Sequence, residues 1–312
     1  MSLAATTNGP CPVCTGTTFA PAYAAVGHTF ERCRDCGLVR MADAPAASGL
    51  ADFYAADRAS ATTAEQDHAA NLARFATILA AIERFRRPGR FLDVGCSIGT
   101  SLLVAQQRGW HAMGLEPAAA AVAHARQQFG VDVRQGTLAT AGLAKGSVDA
   151  VLMHHTLEHV PAPDRVLAEV FDVLAPGGVM YQSLPNHGSW KSRLLREHFG
   201  YGITDEHLWH FSTRTLRRLV ERTGFRVQRV ATRSYRQDPR LLWDLCGRFS
   251  KRAWLERKAG VPAGQSMDVP TYIAFLGRAK WAHFVCNRLW PQRLCRWLGG
   301  GEDLHLIAQK PA

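Results

Sequence analysis

Four cysteines near the start of the chain have the spacing of a metal site. They form two pairs, Cys11-Pro-Val-Cys14 and Cys33-Arg-Asp-Cys36, with eighteen residues between the pairs. Two intervening residues let one tight turn direct both sulfur atoms of a pair at a single ion, and two such turns complete a tetrahedral shell. Because four thiolates leave no open coordination position, we expect them to bind a structural Zn²⁺.

Two groups of histidines offer side chains suited to proton transfer. One is His154-His-Thr-Leu-Glu-His159 and the other is His207-Leu-Trp-His210. Imidazole titrates near neutral pH and is the commonest general base in enzymes. Both groups follow predicted strands, where open α/β sheets bind their ligands. The candidate catalytic bases are therefore His154, His155, His207 and His210.

The elements that must position these histidines alternate between helix and strand. Short apolar strands are separated by amphipathic helices, which indicates a parallel sheet covered on both faces. The predicted elements are a helix at 65–85, a strand at 90–94, a helix from 100 to about 107, a strand at 110–115, a helix at 118–129, and strands at 131–133 and 148–153, followed by a helix at 164–174 and a strand at 179–184.

A glycine turn, Gly95-Cys-Ser-Ile-Gly99, joins the first of these strands to its helix. The strand contributes Asp93, and Glu116 ends the next strand about 20 residues later, where an acid can bind a ribose diol. No Gly-Lys-Ser/Thr follows the turn, which excludes a P-loop, and the Asp-x-Gly-x-x-x-Gly spacing differs from the dinucleotide fingerprint.

The ordered motifs of this region resemble those of class I S-adenosylmethionine-dependent methyltransferases, over roughly residues 65–235. The later motifs are similar to those of the ubiquinone-type O-methyltransferases. One departure is Ser97, where that family often has a third glycine. The matching segments are Phe91-Leu-Asp-Val-Gly-Cys-Ser-Ile-Gly-Thr-Ser-Leu102, Gly114-Leu-Glu-Pro117, Ser147–Val160, Leu174-Ala-Pro-Gly-Gly-Val179, His207-Leu-Trp-His-Phe211 and Gly224-Phe225.

The resemblance implies a Rossmann-like seven-stranded sheet that binds S-adenosylmethionine. By position, the glycine turn would approach the methionine part of the donor, Asp93 would orient it, and Glu116 would bind the ribose hydroxyls. The stretch Gln135–Leu138 would lie beside the adenine. The implied cofactor-binding residues are Asp93, Gly95, Cys96, Gly99, Glu116, Pro117, Thr137, Leu138 and His154.

The loop after the fourth strand of this family leaves two interpretations open. Glu158 and His159 would either cap and orient the loop into the following helix, or join His155 in binding a divalent ion. Methyl transfer to the exocyclic amine nitrogen of a nucleobase is disfavoured. Enzymes of that type have an Asn/Asp-Pro-Pro-aromatic run after the fourth strand, where this chain has Met153-His-His-Thr.

The positive charge of the chain lies in its C-terminal third. Of 37 Lys and Arg against 26 Asp and Glu, residues 213–296 hold 19 basic and 5 acidic side chains. Residues 236–300 are predicted to be a basic, Trp-containing amphipathic helical insertion. They would serve as a lid or homodimer surface, as a peripheral membrane contact, or as an RNA-binding surface, in that order of preference.

These observations predict a chain of five parts. They are a zinc-binding unit at 1–40, a linker and helix at 41–88, the methyltransferase core at 89–235, the insertion at 236–300 and a last strand at 301–312. No signal peptide or membrane-spanning segment is predicted, so we expect a cytoplasmic protein, peripheral to the inner face of the membrane if the insertion binds lipid.

The predicted activity is methyl transfer from S-adenosylmethionine to a small or lipid-linked metabolite. A hydroxyl acceptor is favoured, with amine and carbon acceptors left open, and nucleic acid is the less expected partner. The alternatives are an RNA methyltransferase that uses the basic third, and a non-catalytic adaptor that binds zinc and nucleotide.

Overall fold

The computed structural model of this 312-residue chain describes residues 9–44, 68–189, 192–193, 199, 202–204, 206–233 and 301–312. Residues 45–67, which belong to the predicted linker and helix at 41–88, lie outside the described residues, and so does the basic insertion at 236–300 with the lid, dimer, membrane and RNA contacts assigned to it. In chain order the strands and helices are β1 (Phe19–Ala25), β2 (His28–Cys33), β3 (Val39–Met41), α1 (His68–Ile82), β4 (Arg90–Val94), α2 (Thr100–Gln107), β5 (His111–Glu116), α3 (Ala119–His124), β6 (Asp132–Gln135), β7 (Val148–His154), α4 (Pro163–Val173), β8 (Leu174–Pro185), β9 (Trp209–His210), α5 (Thr213–Arg222), β10 (Arg226–Arg233) and β11 (Asp303–Gln309).

Seven strands form the central sheet, in the order β10-β11-β8-β7-β4-β5-β6. The five strands from β8 to β6 are parallel, and β11 runs antiparallel between β8 and β10. The carboxyl ends of β4, β5 and β7 therefore meet at one edge, which brings the glycine turn, Glu116 and the histidines of β7 together. This sheet confirms the predicted Rossmann-like fold class.

Both faces of the sheet are buried, as a parallel sheet requires. Along β4, Phe91 packs with Ile78 and Leu79 of α1, whereas the next residue, Leu92, packs with the cluster that contains Leu167 of α4. The alternation follows from the two-residue period of a strand. Consecutive apolar residues in β4 are thus explained by two separate cores.

Two predicted elements differ in detail from the structure. The helix predicted over 118–129 is α3 followed by a π-helical turn, Ala125–Phe129. The strand predicted at 179–184 begins earlier, at Leu174, because Val148 pairs with Leu174 and Ala150 with Val179. The intervening Pro-Gly-Gly is therefore an irregularity within the strand pairing, and not a turn that precedes the strand.

The N-terminal strands form a second sheet that also contains β9, in the order β1-β2-β3-β9. Val39 of β3 pairs with His210, and the Met41 N–H donates to the carbonyl of Leu208 at 2.9 Å. Between the two cysteine pairs, β1 and β2 form an antiparallel hairpin. The β3–β9 pairing joins this hairpin to the methyltransferase core by main-chain hydrogen bonds.

Trp209 packs at the junction between the two sheets. Its side chain is buried and its indole N–H donates to the carbonyl of Val160 at 2.9 Å. Substitution by Ala removes both interactions, so we expect Trp209→Ala to lower the free energy of unfolding by about 3–5 kcal/mol. Urea denaturation followed by circular dichroism measures this change.

Trp209→Phe is the matched control, because it keeps most of the apolar contact and loses the hydrogen bond. We expect it to cost about 1–3 kcal/mol, less than the alanine variant. Equal stability of Trp209→Ala and the wild type would contradict a stabilising role for this junction.

Candidate active site

The turn between β4 and α2 has a backbone that only small residues adopt easily. Gly95 and Gly99 have φ values of +79° and +80°, in the left-handed region. A Cβ atom on Gly95 would lie 2.7 Å from the hydroxyl oxygen of Thr156. Ser97, where the resembling family often has glycine, is also left-handed, with φ +48°. The turn is therefore shaped by close approach of the loop after β7.

A cavity opens at this turn and is closed on one side by α1. The helix contributes residues that the sequence analysis did not single out, and Arg74 Nη1 donates to Asn71 Oδ1 at 3.0 Å. The sequence signal that could have identified these residues is the pair of polar side chains Asn71 and Arg74, three positions apart beside the apolar stripe of α1. The lining residues are Asn71, Arg74, Phe75, Asp93, Gly95, Cys96, Ser97, Ile98, Thr100 and His154.

Glu116 connects the two loops that border this cavity. Its Oε2 accepts from the Ser97 N–H and its Oε1 from the Ala118 N–H, each at 2.9 Å. Both carboxylate oxygens are therefore held by main-chain N–H groups, and the predicted contact of Glu116 with a ribose diol stays a prediction. The neighbouring Pro117 carbonyl accepts from Gln135 Nε2 at 3.3 Å, which ties β5 to β6.

Thr137 and Leu138 lie in a short 3-10 turn after β6. The Thr137 N–H donates to Thr140 Oγ1 at 3.0 Å, the Thr137 side chain is exposed and Leu138 is buried. Neither residue is among those that line the cavity. Their predicted place beside the adenine stays a prediction.

Asp93 is a buried carboxyl group at the floor of the cavity. It is hydrogen-bonded to the Ser101 hydroxyl, and its Oδ1 is buried without a hydrogen-bond partner among the described residues. Burial, together with the nearby charge of Glu116, raises the pKa of Asp93 to about 7. A buried acceptor of this kind fits a cationic ligand, and the amino and sulfonium groups of S-adenosylmethionine are cationic.

His154 forms the end of the cavity at the last residue of β7. Its Nδ1 is 2.5 Å from Ser183 Oγ, and its ring contacts Phe75 edge-on. Burial, followed by the neighbouring His155, holds the pKa of His154 well below its usual value. His154 is therefore a neutral imidazole at neutral pH.

His155 has the opposite electrostatic environment, although the two rings are only 4.5 Å apart. Its Nδ1 is 3.2 Å from Glu158 Oε1 and its Nε2 is 3.4 Å from Asp303 Oδ1 of β11. Burial opposes the charged form, but Asp303 and Glu158 outweigh it and raise the pKa of His155. The side chain is 25% exposed, and His155 is not among the residues that line the cavity.

The structure separates the other two candidate bases from this pair. His207 stacks edge-on against His159 at 4.8 Å and hydrogen-bonds the Gly202 carbonyl through Nδ1. Glu158, His159 and His207 offer ligand atoms that all lie within 4.8 Å of one another. His210 lies beside the N-terminal hairpin, with Nδ1 2.5 Å from the hydroxyl of Tyr23.

The four N-terminal cysteines converge as predicted. Cys11 Sγ is 3.5 Å from Cys36 Sγ, Cys14 Sγ is 3.5 Å from Cys33 Sγ, and all four sulfur atoms lie within 4.8 Å of one another. Four sulfurs at about 2.3 Å from a tetrahedral Zn²⁺ would be about 3.8 Å apart. The described geometry is therefore compatible with one ion bound by all four.

Comparison with known proteins identifies the class that this fold and cavity define. The family described as "Methyltransferase domain" matches residues 63–230, more than half of the chain. A "probable S-adenosylmethionine-dependent methyltransferase" of Mycolicibacterium smegmatis is 34% identical over 143 residues, covering 44% of this chain and 52% of that protein. A ubiquinone biosynthesis O-methyltransferase of Hahella chejuensis is 35% identical over 111 residues, covering 33% of this chain and 47% of that protein.

Among solved structures, an S-adenosylmethionine-dependent methyltransferase from Thermotoga maritima superposes with a TM-score of 0.53 at 17% identity. The superposition covers 84% of this chain and 99% of the Thermotoga chain, which shows that the two proteins share a fold. This chain belongs to the methyltransferase-domain family, within the class I S-adenosylmethionine-dependent methyltransferases. It spans about half the length of the curated relatives that it matches. Among the helices that the structure describes, none has both the length and the apolar character that a membrane crossing requires.

The unpartnered oxygen of Asp93 leads to a prediction about donor binding. Because a pKa of about 7 leaves this carboxyl partly protonated near neutral pH, the affinity for cationic S-adenosylmethionine should rise with pH. We expect a roughly tenfold gain in affinity between about pH 6 and about pH 8, measured by calorimetry.

Asp93→Asn is the matched control, since it keeps the size of the side chain and removes the titration. This variant should bind the donor more weakly and with a flat pH dependence over the same range. A flat dependence in the wild type would contradict ionised Asp93 as the group that binds the donor.

Proposed function

We propose that this protein transfers a methyl group from S-adenosylmethionine to a hydroxyl group of a small or lipid-linked metabolite, with His155 as the general base. The observation that carries the proposal is the position of His155 between two buried carboxylates, beside the histidine that lines the donor cavity. A raised pKa makes the neutral imidazole a stronger base, and the base is competent above that pKa, where it has lost its proton.

The residues around the cavity have different roles in this reaction. S-adenosylmethionine, when bound, supplies a methyl carbon that an oxygen nucleophile attacks in line. At a pH above its raised pKa, neutral His155 takes the proton of the acceptor hydroxyl on a ring nitrogen as the oxygen bonds to the methyl carbon and S-adenosylhomocysteine leaves, and Glu158 and Asp303 stabilise the imidazolium so formed. His154 stays neutral and, with its Nδ1 bonded to Ser183, closes the cavity and orients the groups that react.

The choice of a hydroxyl acceptor has independent support from the relatives. Three curated proteins 34–35% identical over 104–111 residues are named ubiquinone biosynthesis O-methyltransferases. That name describes methyl transfer to oxygen. The matched portion of each is less than half its length, so the acceptor itself is a matter for direct measurement.

We also propose that the four-cysteine cluster binds Zn²⁺ with a structural role. In that arrangement all four cysteine side chains bind the ion, which leaves no open coordination position for a substrate. The cluster lies next to β3, and β3 pairs with β9. A bound ion would therefore also stabilise β9, which contains His210. The sulfur separations of 3.5–4.8 Å support this assignment.

The role of His155 is tested with His155→Gln. An acceptor is first found by screening hydroxylated metabolites with methyl-labelled donor, and kcat is then measured. We expect kcat to fall by about 10²–10⁴-fold, as for loss of a general base, while affinity for S-adenosylhomocysteine stays within about twofold.

Asp303→Asn is the companion variant for this test, because it keeps the base and removes one carboxylate that raises its pKa. In the wild type kcat should rise with pH as His155 loses its proton, and in Asp303→Asn that rise should shift to lower pH. An unchanged kcat in His155→Gln would exclude this histidine as the base.

The structural metal is tested by the zinc content of Cys14→Ser. We expect the purified variant to lose most of its zinc and to melt at a lower temperature, because the hairpin that pairs with β9 depends on the ion. Atomic emission spectroscopy and thermal unfolding measure the two effects.

Cys96→Ser is the matched control, since Cys96 is a buried thiol outside the cluster. It should keep the zinc content of the wild type. Retention of a full equivalent of zinc by Cys14→Ser would contradict binding by the four cysteines.

A further inference from the structure

A second and larger cavity lies between the zinc unit and the methyltransferase core. Its volume is about 610 Å³, against about 140 Å³ for the donor cavity, and the two share no lining residue. Small-molecule sites in proteins typically measure about 300–1,000 Å³. The residues that line it are Ala22, Tyr23, Arg32, Cys36, Gly37, His187, Gly188, Ser192, Arg193, His210, Ser212 and Arg214.

Three arginines from three separate segments give this cavity its charge. Arg32 belongs to β2, Arg193 to the segment after β8, and Arg214 to the first turn of α5. All three are exposed, and none forms an ion pair with a carboxylate of the part of the chain that the structure describes. No Asp or Glu is present among the described lining residues.

The inner wall of the cavity consists of hydrogen-bonded side chains without charge. The Tyr23 hydroxyl is 2.5 Å from His210 Nδ1 and 3.4 Å from His187 Nε2, and His187 Nδ1 is 3.3 Å from Ser192 Oγ. Burial, followed by the charge of Arg32, lowers the pKa of His187 to about 4. These side chains therefore supply neutral hydrogen-bonding groups, and the arginines supply the positive charge.

The start of α5 adds to the positive potential. Ser212 caps the helix and lines the cavity, and Arg214 follows it within the first turn. The N-terminal end of a ten-residue helix carries a partial positive charge that favours anions. His210 Nε2, on the neighbouring strand, is buried without a hydrogen-bond partner among the described residues.

We propose that this cavity is a second binding site, which takes the phosphate or diphosphate group of a small molecule. Guanidinium groups bind phosphate oxygens through paired hydrogen bonds, and three of them on different walls suit an anion with several oxygens. The cavity begins at His187, two residues beyond the end of β8, the strand whose Ser183 holds His154. The site is thus next to the acceptor side of the sheet, but its binding of phosphate does not depend on the proposed methyl transfer.

The test uses inorganic pyrophosphate as the probe, titrated into the full-length protein by calorimetry at low ionic strength. We expect saturable binding to the wild type that weakens roughly tenfold in Arg193→Gln and in Arg214→Gln, with a larger loss in the double variant. Arg87→Gln is the control, because Arg87 is an exposed arginine before β4, at the opposite end of the sheet, and this variant should bind as the wild type does.

A second measurement distinguishes a soluble phosphate from a lipid headgroup. Vesicles of phosphatidylcholine with and without phosphatidic acid are sedimented with the same proteins. Arginine-dependent binding to pyrophosphate identifies a soluble ligand, and arginine-dependent binding confined to phosphatidic acid vesicles identifies a headgroup. Either result supports the phosphate site.

Absence of both interactions in the wild type would overturn the proposal, as would an equal loss in Arg87→Gln and Arg214→Gln. Binding of S-adenosylhomocysteine is measured in every variant and should be unchanged. Failure of that binding in the wild type would count against the proposed methyl transfer and leave the phosphate site standing.

Discussion

The buried carboxylate of Glu158 is the constraint on which the described architecture depends. Its side chain is 1% exposed, and a charge so deeply buried must be paired to persist. His155 supplies the partner, while the main-chain carbonyl of Glu158 accepts from the Leu208 and Trp209 N–H groups at 2.9 and 3.2 Å. The same residue thus fixes the ionisation of a candidate base and anchors β9. Since β9 also pairs with β3, the N-terminal hairpin is connected to the loop after β7 through Glu158.

Neighbouring histidines in this region differ because of their surroundings and not because of their chemistry. His154 and His159 are desolvated without a carboxylate that compensates fully, and their pKa values are lowered, that of His159 to about 4. His155 has Asp303 and Glu158 on either side, and its pKa is raised. A single loop therefore contains neutral imidazoles that can shape a cavity and one imidazole that can accept and hold a proton.

Much of the core could be predicted from local pattern. Apolar runs at 91–94 and 150–153, the glycine turn at 95–99 and the acid at 116 are determined by short-range rules of strand, turn and loop. The candidate site was harder to predict from the sequence. His210 resembled a base in the sequence, yet it packs against Tyr23 and Phe30 of the N-terminal hairpin. Arg74 carried no motif, yet it lines the cavity at the glycine turn from α1.

The sequence by itself determined the fold class, the glycine turn at 95–99 and the two cysteine pairs, because each depends on residues near one another along the chain. Only the tertiary structure decided which histidine meets Asp303, since that residue lies 148 positions beyond His155 on the last strand. It also decided that Arg32, Arg193 and Arg214 border one cavity. Contacts of this kind follow from strand order and from the β3–β9 pairing, and neither leaves a periodic signal in the residues concerned.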